Sequence, residues 1–430
     1  MMMLAPLVRG GNRHVALIML EWLGLLLLLL LATQRMMVAK SEKQESITNS
    51  PAGLRTAEWF LILSPVMMGI FFLSPIPVEF WKVLPGRDLY SFALDLAFRP
   101  ASLTPDATIT SLLACIPMVA AFLWARMATS RQLLLIPKLL VFFALLQCTL
   151  GFLQVGPFKS LYFEAEFAGK AIGSFANANH FANYLTMCLP LTGFLIIQAT
   201  GHLNAHSKSA EPGAIAFWSV ALLLIAAGVL VSGSRGGLAT SLVVLMLTAS
   251  YLHSQTRRAA QRSDLVLAFS ILLVLGCFGL GAFASRLGNG TLSADVLLRW
   301  REMASSWNGV LVFWPVGSGP GSFAGVYPMF QPPNLGGVLD YTHNDYVQLM
   351  FETGALGLLV CALVVWLIVW RVKAFRRQLQ LFTPELHLQV CCGLALTAIG
   401  LHSLVDFNLH IPANAMLASS LFGAFLRKSS

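Results

Sequence analysis

Charged residues are scarce in this sequence. Asp, Glu, Lys and Arg together make up 11% of the 430 residues, whereas a soluble globular domain carries about 25%. Hydrophobic residues account for 57%, which leaves too few polar side chains to cover a water-facing surface. The composition therefore excludes a soluble globular domain and predicts a protein whose main solvent is a lipid bilayer.

The sequence also has no cysteine outside its apolar stretches, and it has no flexible linker. All seven cysteines fall within long apolar windows, so we expect neither a disulfide framework nor a zinc site. Apolar packing is the favoured role, even for the adjacent Cys391 and Cys392. No Gly/Ser-rich linker, low-complexity run or repeated helix pair interrupts the chain. We therefore predict a single membrane domain over residues 1–430, with one sizeable insert at 285–345.

Long apolar runs, by contrast, are frequent, and a bilayer core about 30 Å thick needs roughly 20 apolar residues per helix. Windows of this kind lie at 15–32, 57–76, 108–127, 132–154, 181–199, 214–232, 237–254, 265–284, 353–370, 386–405 and 411–426. The first follows two arginines as in a signal peptide, but no small-residue cleavage site follows it, so we expect it to be retained. The fold class predicted is all-α, a polytopic transmembrane bundle of about eleven helices, with the helical insert between helices 8 and 9.

The distribution of Lys and Arg predicts which side of the membrane each loop occupies. The net charge of +9 is scattered over short connections, so it indicates membrane orientation and not nucleic-acid binding. Lys and Arg are denser in the connections 33–56, 126–131, 200–213, 251–264, 371–385 and 427–430. The positive-inside rule places that set in the cytoplasm. The loops 77–107 and 285–345 are then extracytoplasmic, as is the N-terminus despite Arg9 and Arg13, and we expect function on that face.

Within the insert, residues 293–312 have helical spacing, and residues 315–321 end the pattern with Pro and Gly. The apolar positions on one side are Val296, Leu297, Trp300, Met303 and Trp307. One interpretation is an amphipathic helix lying on the membrane surface. The other is that this stripe packs against the bundle, and we expect packing to explain the larger part of it.

Ionisable side chains near the ends of membrane helices are costly, so each prompts a functional hypothesis. Residues 232–237 form a Ser-Gly-Ser-Arg-Gly-Gly turn between two apolar helices. Its backbone N–H groups and the Arg235 guanidinium suit a phosphate or pyrophosphate oxygen. The alternative is an interfacial hairpin whose arginine extends to the headgroups, and spacing alone favours that simpler reading.

Two further basic positions, Arg299 and Arg301, lie on the predicted insert helix. Residues two apart on a helix point about 200° apart, so both cannot face one ligand equally. His343 lies in a Thr-His-Asn-Asp-Tyr run before an apolar window, and an imidazole with Asn344 or Asp345 to orient it suits proton transfer near neutral pH. Alone, however, a histidine in this position is more often a capping or interface group.

Other polar positions carry less specific signals. Asn177 and Asn179 precede the fifth helix, where carboxamides could bind sugar hydroxyls or simply cap the helix, and capping suffices to explain them. The last outer turn contains His402, Asp406, Asn408 and His410. An aspartate–histidine pair there could support a site or hold the hairpin, and we assign these residues no catalysis. The glycines of 315–321 are flanked by prolines and followed by no lysine, which does not support nucleotide binding.

In this order, the motifs resemble the O-antigen ligase and polymerase superfamily of bacterial envelope glycosyltransferases. The resemblance covers roughly residues 160–426 and is most specific at the His-Asn-Asp-Tyr run of 343–346, which is followed by Glu-Thr-Gly and a helix. The other matching segments are 173–185, 234–237, 299–301, 315–323 and 402–414. The N-terminal third matches in hydropathy and in the stretch 75–87.

The resemblance implies an enzyme of the bacterial inner membrane with its active face in the periplasm. It would transfer a glycan from an undecaprenyl-pyrophosphate-linked donor to a glycan or lipid-A core acceptor among membrane lipids, with no metal, cofactor or nucleotide sugar. The roles implied are Arg235 and one of Arg299 or Arg301 on the pyrophosphate, and His343 as the base that deprotonates the acceptor hydroxyl. Substrate-binding candidates are Asn177, Asn179, Asn344 and Asp345.

Several alternatives stay open at the level of the sequence. A ligase ranks only slightly ahead of a polysaccharide polymerase of the same superfamily, and a protein O-oligosaccharyltransferase is less favoured because the outer insert is short. A membrane transporter is a fourth possibility. Its ionisable residues would lie near the bilayer midplane, whereas Arg235, Arg299, Arg301 and His343 are predicted on one outward face.

Overall fold

The structure, a computed structural model, describes residues 1–42, 54–93, 96–156, 170–201, 210–255, 291–333, 337, 339–378 and 383–427. Its helices are α1 (His14–Glu42), α2 (Thr56–Leu73), α3 (Val78–Trp81), α4 (Pro105–Leu113), α5 (Cys115–Met127), α6 (Ser130–Val155), α7 (Ala178–Ala199), α8 (Pro212–Ser232), α9 (Arg235–Gln255), α10 (Thr291–Phe313), α11 (Phe323–Val326), α12 (Asp345–Gln378), α13 (Pro384–His402) and α14 (Pro412–Leu426).

Nine helical segments in the described ranges are long and apolar enough to cross a membrane. They coincide with nine of the eleven predicted windows, and α4 and α5 together form one of them. The window 411–426 corresponds to α14, an apolar helix of 15 residues, while the window 265–284 lies outside the described residues. The all-α polytopic architecture is therefore confirmed, and the total of eleven helices stays a prediction.

The loop between α2 and α4 contains a short antiparallel ribbon that hydropathy did not predict. Strands β1 (Pro75–Pro77) and β2 (Phe98–Pro100) pair over three residues, with Pro75 opposite Pro100. The Trp81 indole N–H donates to the carbonyl of Pro100 at 2.9 Å, and the buried Arg87 guanidinium donates to two loop carbonyls. These side chains satisfy loop carbonyls that no helix or longer sheet could pair.

Helix α7 lies at the centre of the bundle and is almost wholly buried. Small residues let its neighbours approach closely, as is common between membrane helices. A Cβ on Gly228 of α8 would lie 2.7 Å from the Cys148 sulfur and 2.8 Å from Leu185 of α7. The close packing fixes the ends of α7, α8 and α9 relative to one another, which matters for the site described below.

Helix α10 packs against α12 through its small and polar face. Glu302, Ser305, Ser306 and Gly309 are buried along this face, and a Cβ on Gly309 would lie 2.1 Å from the Phe351 ring. Several bulky apolar residues of α10 point away from the bundle, whereas Val310 and Phe313 near its end are buried. The exposed ones include Leu297, Leu298, Trp300, Trp307 and Leu311.

The expectation that the apolar stripe of α10 packs mainly against the bundle was therefore wrong. Trp300 remains 62% exposed and Leu297 49% exposed, which favours the interpretation of a helix that presents apolar side chains to a membrane surface. Of the positions in that stripe whose side chains are described, only Met303 packs against the neighbouring core.

Helix α12 begins at Asp345, before the predicted window, and changes direction at Gly354. The φ of Gly354 is +56°, a value that favours glycine. A Cβ there would lie 2.1 Å from the carbonyl oxygen of Pro315, which accepts a hydrogen bond from the Ala355 N–H at 2.8 Å. The segment after α10 thus docks into the bend and ties the insert to the bundle.

Candidate functional site

Asp406, in the turn between α13 and α14, lies where several predicted site segments meet. Its buried carboxylate accepts a hydrogen bond from the Asn179 side chain at the start of α7. Its Oδ1 lies 3.4 Å from Nδ1 of His343, and its Oδ2 lies 4.0 Å from the Arg299 guanidinium. Residues distant in sequence therefore converge on one carboxylate at one end of the bundle.

His343 lies between two carboxylates. Nδ1 faces Asp406, and Nε2 lies 3.8 Å from Oε2 of Glu302 on α10. The imidazole side chain is 22% exposed, and its ring lies 5.4 Å from that of Phe407. A histidine that is hydrogen-bonded through Nδ1 and partly exposed is positioned to exchange a proton with a bound molecule through Nε2.

The electrostatic balance at Asp406 favours its ionised form. Burial alone would raise the pKa of this carboxyl group, but the hydrogen bond from His343 and the charges of His180, His343 and Arg299 lower the pKa further than burial raises it. An ionised carboxylate can only accept hydrogen bonds, so Nδ1 of His343 carries the proton. Nε2 is then the nitrogen that accepts a proton whenever the imidazole is neutral.

Glu302 is a site residue that the sequence interpretation missed. It is buried, and its Oε2 makes no hydrogen bond. Burial raises the pKa of Glu302, an effect that the nearby charges of His343 and Arg299 partly offset. The sequence feature that could have identified Glu302 is its position three residues after Arg299, which places both side chains on one helix face.

The two arginines of α10 have different surroundings. Arg299 donates a hydrogen bond to the carbonyl of Val405 at 3.0 Å and lies beside Asp406. Arg301 is exposed on another side of the helix, as the rotation of about 100° per residue requires. Arg299 is therefore the arginine that the fold brings to the cluster.

The glycine-rich turn before α9 packs against the same region. Gly233, with φ of +68°, ends α8, and the Ser234 hydroxyl accepts a hydrogen bond from the Gly237 N–H at 3.1 Å. A Cβ on Gly236 would lie 2.7 Å from Nε2 of His402 and 3.1 Å from Val405. Arg235, which is partly exposed, thus begins a helix that contacts the turn leading to Asp406.

All four predicted substrate-binding residues make side-chain hydrogen bonds within the protein. Asn177 accepts from the Asn179 N–H at 2.8 Å and caps α7. Asn344 caps α12 by accepting from two backbone N–H groups and donates to the carbonyl of Leu404 at 2.9 Å. Asp345 lies 2.7 Å from Nδ1 of His410. Asn179 donates to Asp406 and so shares that carboxylate with His343.

A second acid–histidine pair lies beside the cluster. Burial would lower the pKa of His410, but its hydrogen bond with Asp345 and the Asp345 charge raise the pKa overall. The Tyr341 ring stacks on Phe407 with centroids 4.9 Å apart and lies 5.0 Å from the His410 ring. This partly exposed aromatic surface borders His343, and Tyr341 was not anticipated from the sequence.

The glycine loop 315–321 is fixed by protein groups. The Glu352 carboxylate accepts from the N–H groups of Gly321 and Phe323 at 2.8 and 3.3 Å, and from the Gln348 side chain at 3.1 Å. The donors that would cradle a phosphate in a nucleotide site are thus occupied by a buried glutamate. Among the described residues, no group of three or more His, Cys, Asp or Glu side chains is arranged to hold a metal ion.

The fold and this cluster define a polytopic membrane protein with an acid–histidine–arginine site at one end of its helix bundle. Residues 220–362 match the family model described as O-antigen ligase. The match supports a membrane enzyme of the O-antigen ligase and polymerase superfamily, which confirms the resemblance inferred from the motifs. No curated protein matches the chain.

The matched segment contains Arg235, Arg299, Glu302 and His343 but neither Asn179 nor Asp406. It lies within the wider region of 160–426 predicted from the motifs. Those wider bounds stay a prediction, although the contacts of Asp406 show that residues beyond the matched segment complete the cluster.

Proposed function

We propose that this protein is an inner-membrane glycosyltransferase that moves a glycan from an undecaprenyl-pyrophosphate donor to an acceptor sugar hydroxyl on the periplasmic face. The observation that carries the proposal is the position of His343, whose Nδ1 lies 3.4 Å from Asp406 and whose Nε2 lies 3.8 Å from Glu302. Arg299 lies beside the Asp406 carboxylate as well. The combination supplies a base and a cation at one point, as the transfer requires.

His343 is the proposed base. A sugar hydroxyl is a poor nucleophile until its proton is removed as it attacks. Its oxygen forms the new bond to the anomeric carbon while the bond from that carbon to the pyrophosphate oxygen breaks, and the leaving oxygen keeps the electron pair. The hydroxyl proton passes to Nε2 of His343, and the resulting imidazolium is stabilised by Asp406 and Glu302. Attack opposite the leaving group inverts the anomeric configuration.

Arg299 and Arg235 are the proposed partners of the leaving pyrophosphate. Guanidinium groups bind phosphate oxygens through two parallel N–H donors and stay charged at every accessible pH. Arg299 is 38% exposed at its side chain and belongs to the helix whose apolar residues Trp300 and Leu297 point away from the bundle. That arrangement suits a headgroup at the membrane surface, while Arg235 approaches from the turn before α9.

The sidedness of the proposal rests on the distribution of Lys and Arg. The turn before α9, the segment before α12 and the turn after α13 all belong to connections with fewer basic residues. His343 and Asp406 from two of these connections meet in the cluster, and Gly236 of the third packs against His402 and Val405 beside it. The position of the cluster at one end of the bundle, away from the midplane, is less suited to a transporter. A polysaccharide polymerase of the same superfamily would use the same donor chemistry and is the second candidate.

The test is glycan transfer in membranes that lack the native activity, with lipid-linked donor and product chain length followed together. We expect His343→Ala and Arg235→Ala to abolish product while donor accumulates on the outer face, and Arg299→Ala to reduce transfer at least about tenfold more than Arg301→Ala. Single-unit products would identify a ligase and long products a polymerase. Unchanged transfer in His343→Ala would refute the assigned base, and donor retained inside would indicate transport.

A further inference from the structure

A second cluster of charged residues lies at the end of the bundle opposite His343. From its bend at Gly354 to Arg371, helix α12 advances about 26 Å at roughly 1.5 Å per residue, so the two ends are separated by close to one bilayer core. At this far end, four arginines come together from four helices or their ends. They are Arg55 before α2, Arg126 on α5, Arg371 on α12 and Arg427 after α14.

Carboxylates do not balance these arginines. Glu58, fully buried, lies 3.4 Å from Arg55 and 3.3 Å from Arg126. Electrostatic interactions link Arg371 to Arg55, Arg126 and Glu58, and link Arg427 to Arg126 and to Glu385. Among the residues that the structure describes, four guanidinium groups against two carboxylates leave a net positive charge, and burying unbalanced charge is costly.

Some of the guanidinium donors in this cluster have no acceptor in the described part of the protein. Arg126 has a side chain only 4% exposed, yet its Nη2 makes no hydrogen bond. Nη1 of Arg427 is likewise buried without a partner. Guanidinium donors that lack an acceptor are suited to bind the oxygens of a phosphate group.

Arg371 holds the chain at Arg427 in position. Arg371 donates from Nε to the carbonyl of Phe425 at 2.9 Å, from Nη2 to Gln389 at 2.6 Å, and to the carbonyl of Arg427. Helix α14 lies very close to α5, because a Cβ on Gly423 would be 2.2 Å from the Phe122 carbonyl oxygen. These contacts fix the end of α14, which precedes Arg427, against the end of α5, which carries Arg126, so the cluster is built into the fold.

We propose that Arg126 and Arg427, with Arg55 and Arg371 around them, form a phosphate-binding site at this end of the bundle, distinct from the His343 cluster. The phosphate could belong to the headgroup of an anionic phospholipid or be a free ion. Both offer the same oxygens to the guanidinium donors, and the occupant bridges α2, α5, α12 and α14. The inference does not depend on the proposed glycosyl transfer.

The experiment is thermal unfolding of the purified full-length protein in neutral detergent. It is titrated separately with short-chain phosphatidylglycerol, with phosphatidylcholine of the same chain length, and with inorganic phosphate. We expect phosphatidylglycerol to raise the Tm more than phosphatidylcholine does. Stabilisation by phosphatidylglycerol alone identifies a lipid headgroup as the occupant, and stabilisation by inorganic phosphate as well identifies a site open to the free ion.

Arg126→Gln and Arg427→Gln should each raise the ligand concentration that gives half of the Tm increase by at least about tenfold, since each removes a charge-assisted contact. Arg131→Gln is the matched control, because Arg131 is exposed and lies just beyond the end of α5, and it should respond as the wild type does. If Arg126→Gln does not fold, the partly exposed Arg427 carries the test. A response to none of the three probes, or one that survives both substitutions, would overturn the proposal.

Discussion

Asp406→Asn offers the sharpest test of the candidate site, because it keeps the shape of the side chain and removes its charge. When His343 takes up a proton, the imidazolium lies 3.4 Å from this carboxylate. At an effective dielectric constant of about 20, two unit charges at that distance attract by roughly 5 kcal/mol. Since 1.36 kcal/mol corresponds to a factor of ten, the full interaction is worth about 10³-fold in rate.

The partial exposure of His343, 22% at the side chain, reduces this figure, so we expect Asp406→Asn to lower glycan transfer roughly 10²- to 10³-fold. The assay is the initial rate of product formation from lipid-linked donor in membranes, normalised to folded protein by thermal unfolding. Adding Asp406→Asn to His343→Ala should lower the transfer rate little further than His343→Ala alone, since the effects of substituting residues that act as a unit are not additive. A loss smaller than about tenfold at unchanged Tm would refute the reasoning.

Two further substitutions test other parts of the site. Burial raises the pKa of Glu302, so the folded protein is stabilised while this group is protonated and loses that contribution as pH rises through the raised pKa. Glu302→Gln should therefore raise the Tm relative to wild type more at about pH 8 than at about pH 4; an equal effect at both would contradict this assignment. Gly236→Ala places a Cβ 2.7 Å from His402 and should destabilise the protein by about 1–3 kcal/mol and reduce transfer. Gly213→Ala, with open space around its Cβ, is the control, and equal unfolding temperatures for the two variants would argue against tight packing at the turn.

These proposals place phosphate binding and glycan transfer at opposite ends of one helix bundle. The His343 cluster lies where the start of α12 meets the turn after α13, and the arginine cluster lies where α12 and α14 reach their other ends. Helix α12 contributes to both. Its bend at Gly354 is held by the carbonyl of Pro315, so the orientation of its first turn depends on the insert and not only on the membrane-spanning part.

His343 was easier to identify in the sequence than the side chains that contact it. A histidine beside an apolar window stands out because ionisable groups near membrane helices are rare. Asp406 was visible for the same reason, but its distance from His343 along the chain gave no indication that the two lie 3.4 Å apart. Glu302 was hidden in an amphipathic helix, where acidic residues usually face solvent.

The sequence by itself determined that the protein is an all-α membrane protein, where its long apolar helices lie, and which superfamily it resembles. These properties follow from the transfer free energy of each segment taken alone and from short local motifs. Only the tertiary structure decided that Arg299 and not Arg301 meets Asp406, that the bulky face of α10 turns away from the bundle, and that four arginines gather at the far end. Such outcomes depend on how closely helices distant in sequence can pack, and small residues such as Gly309 and Gly423 set that distance.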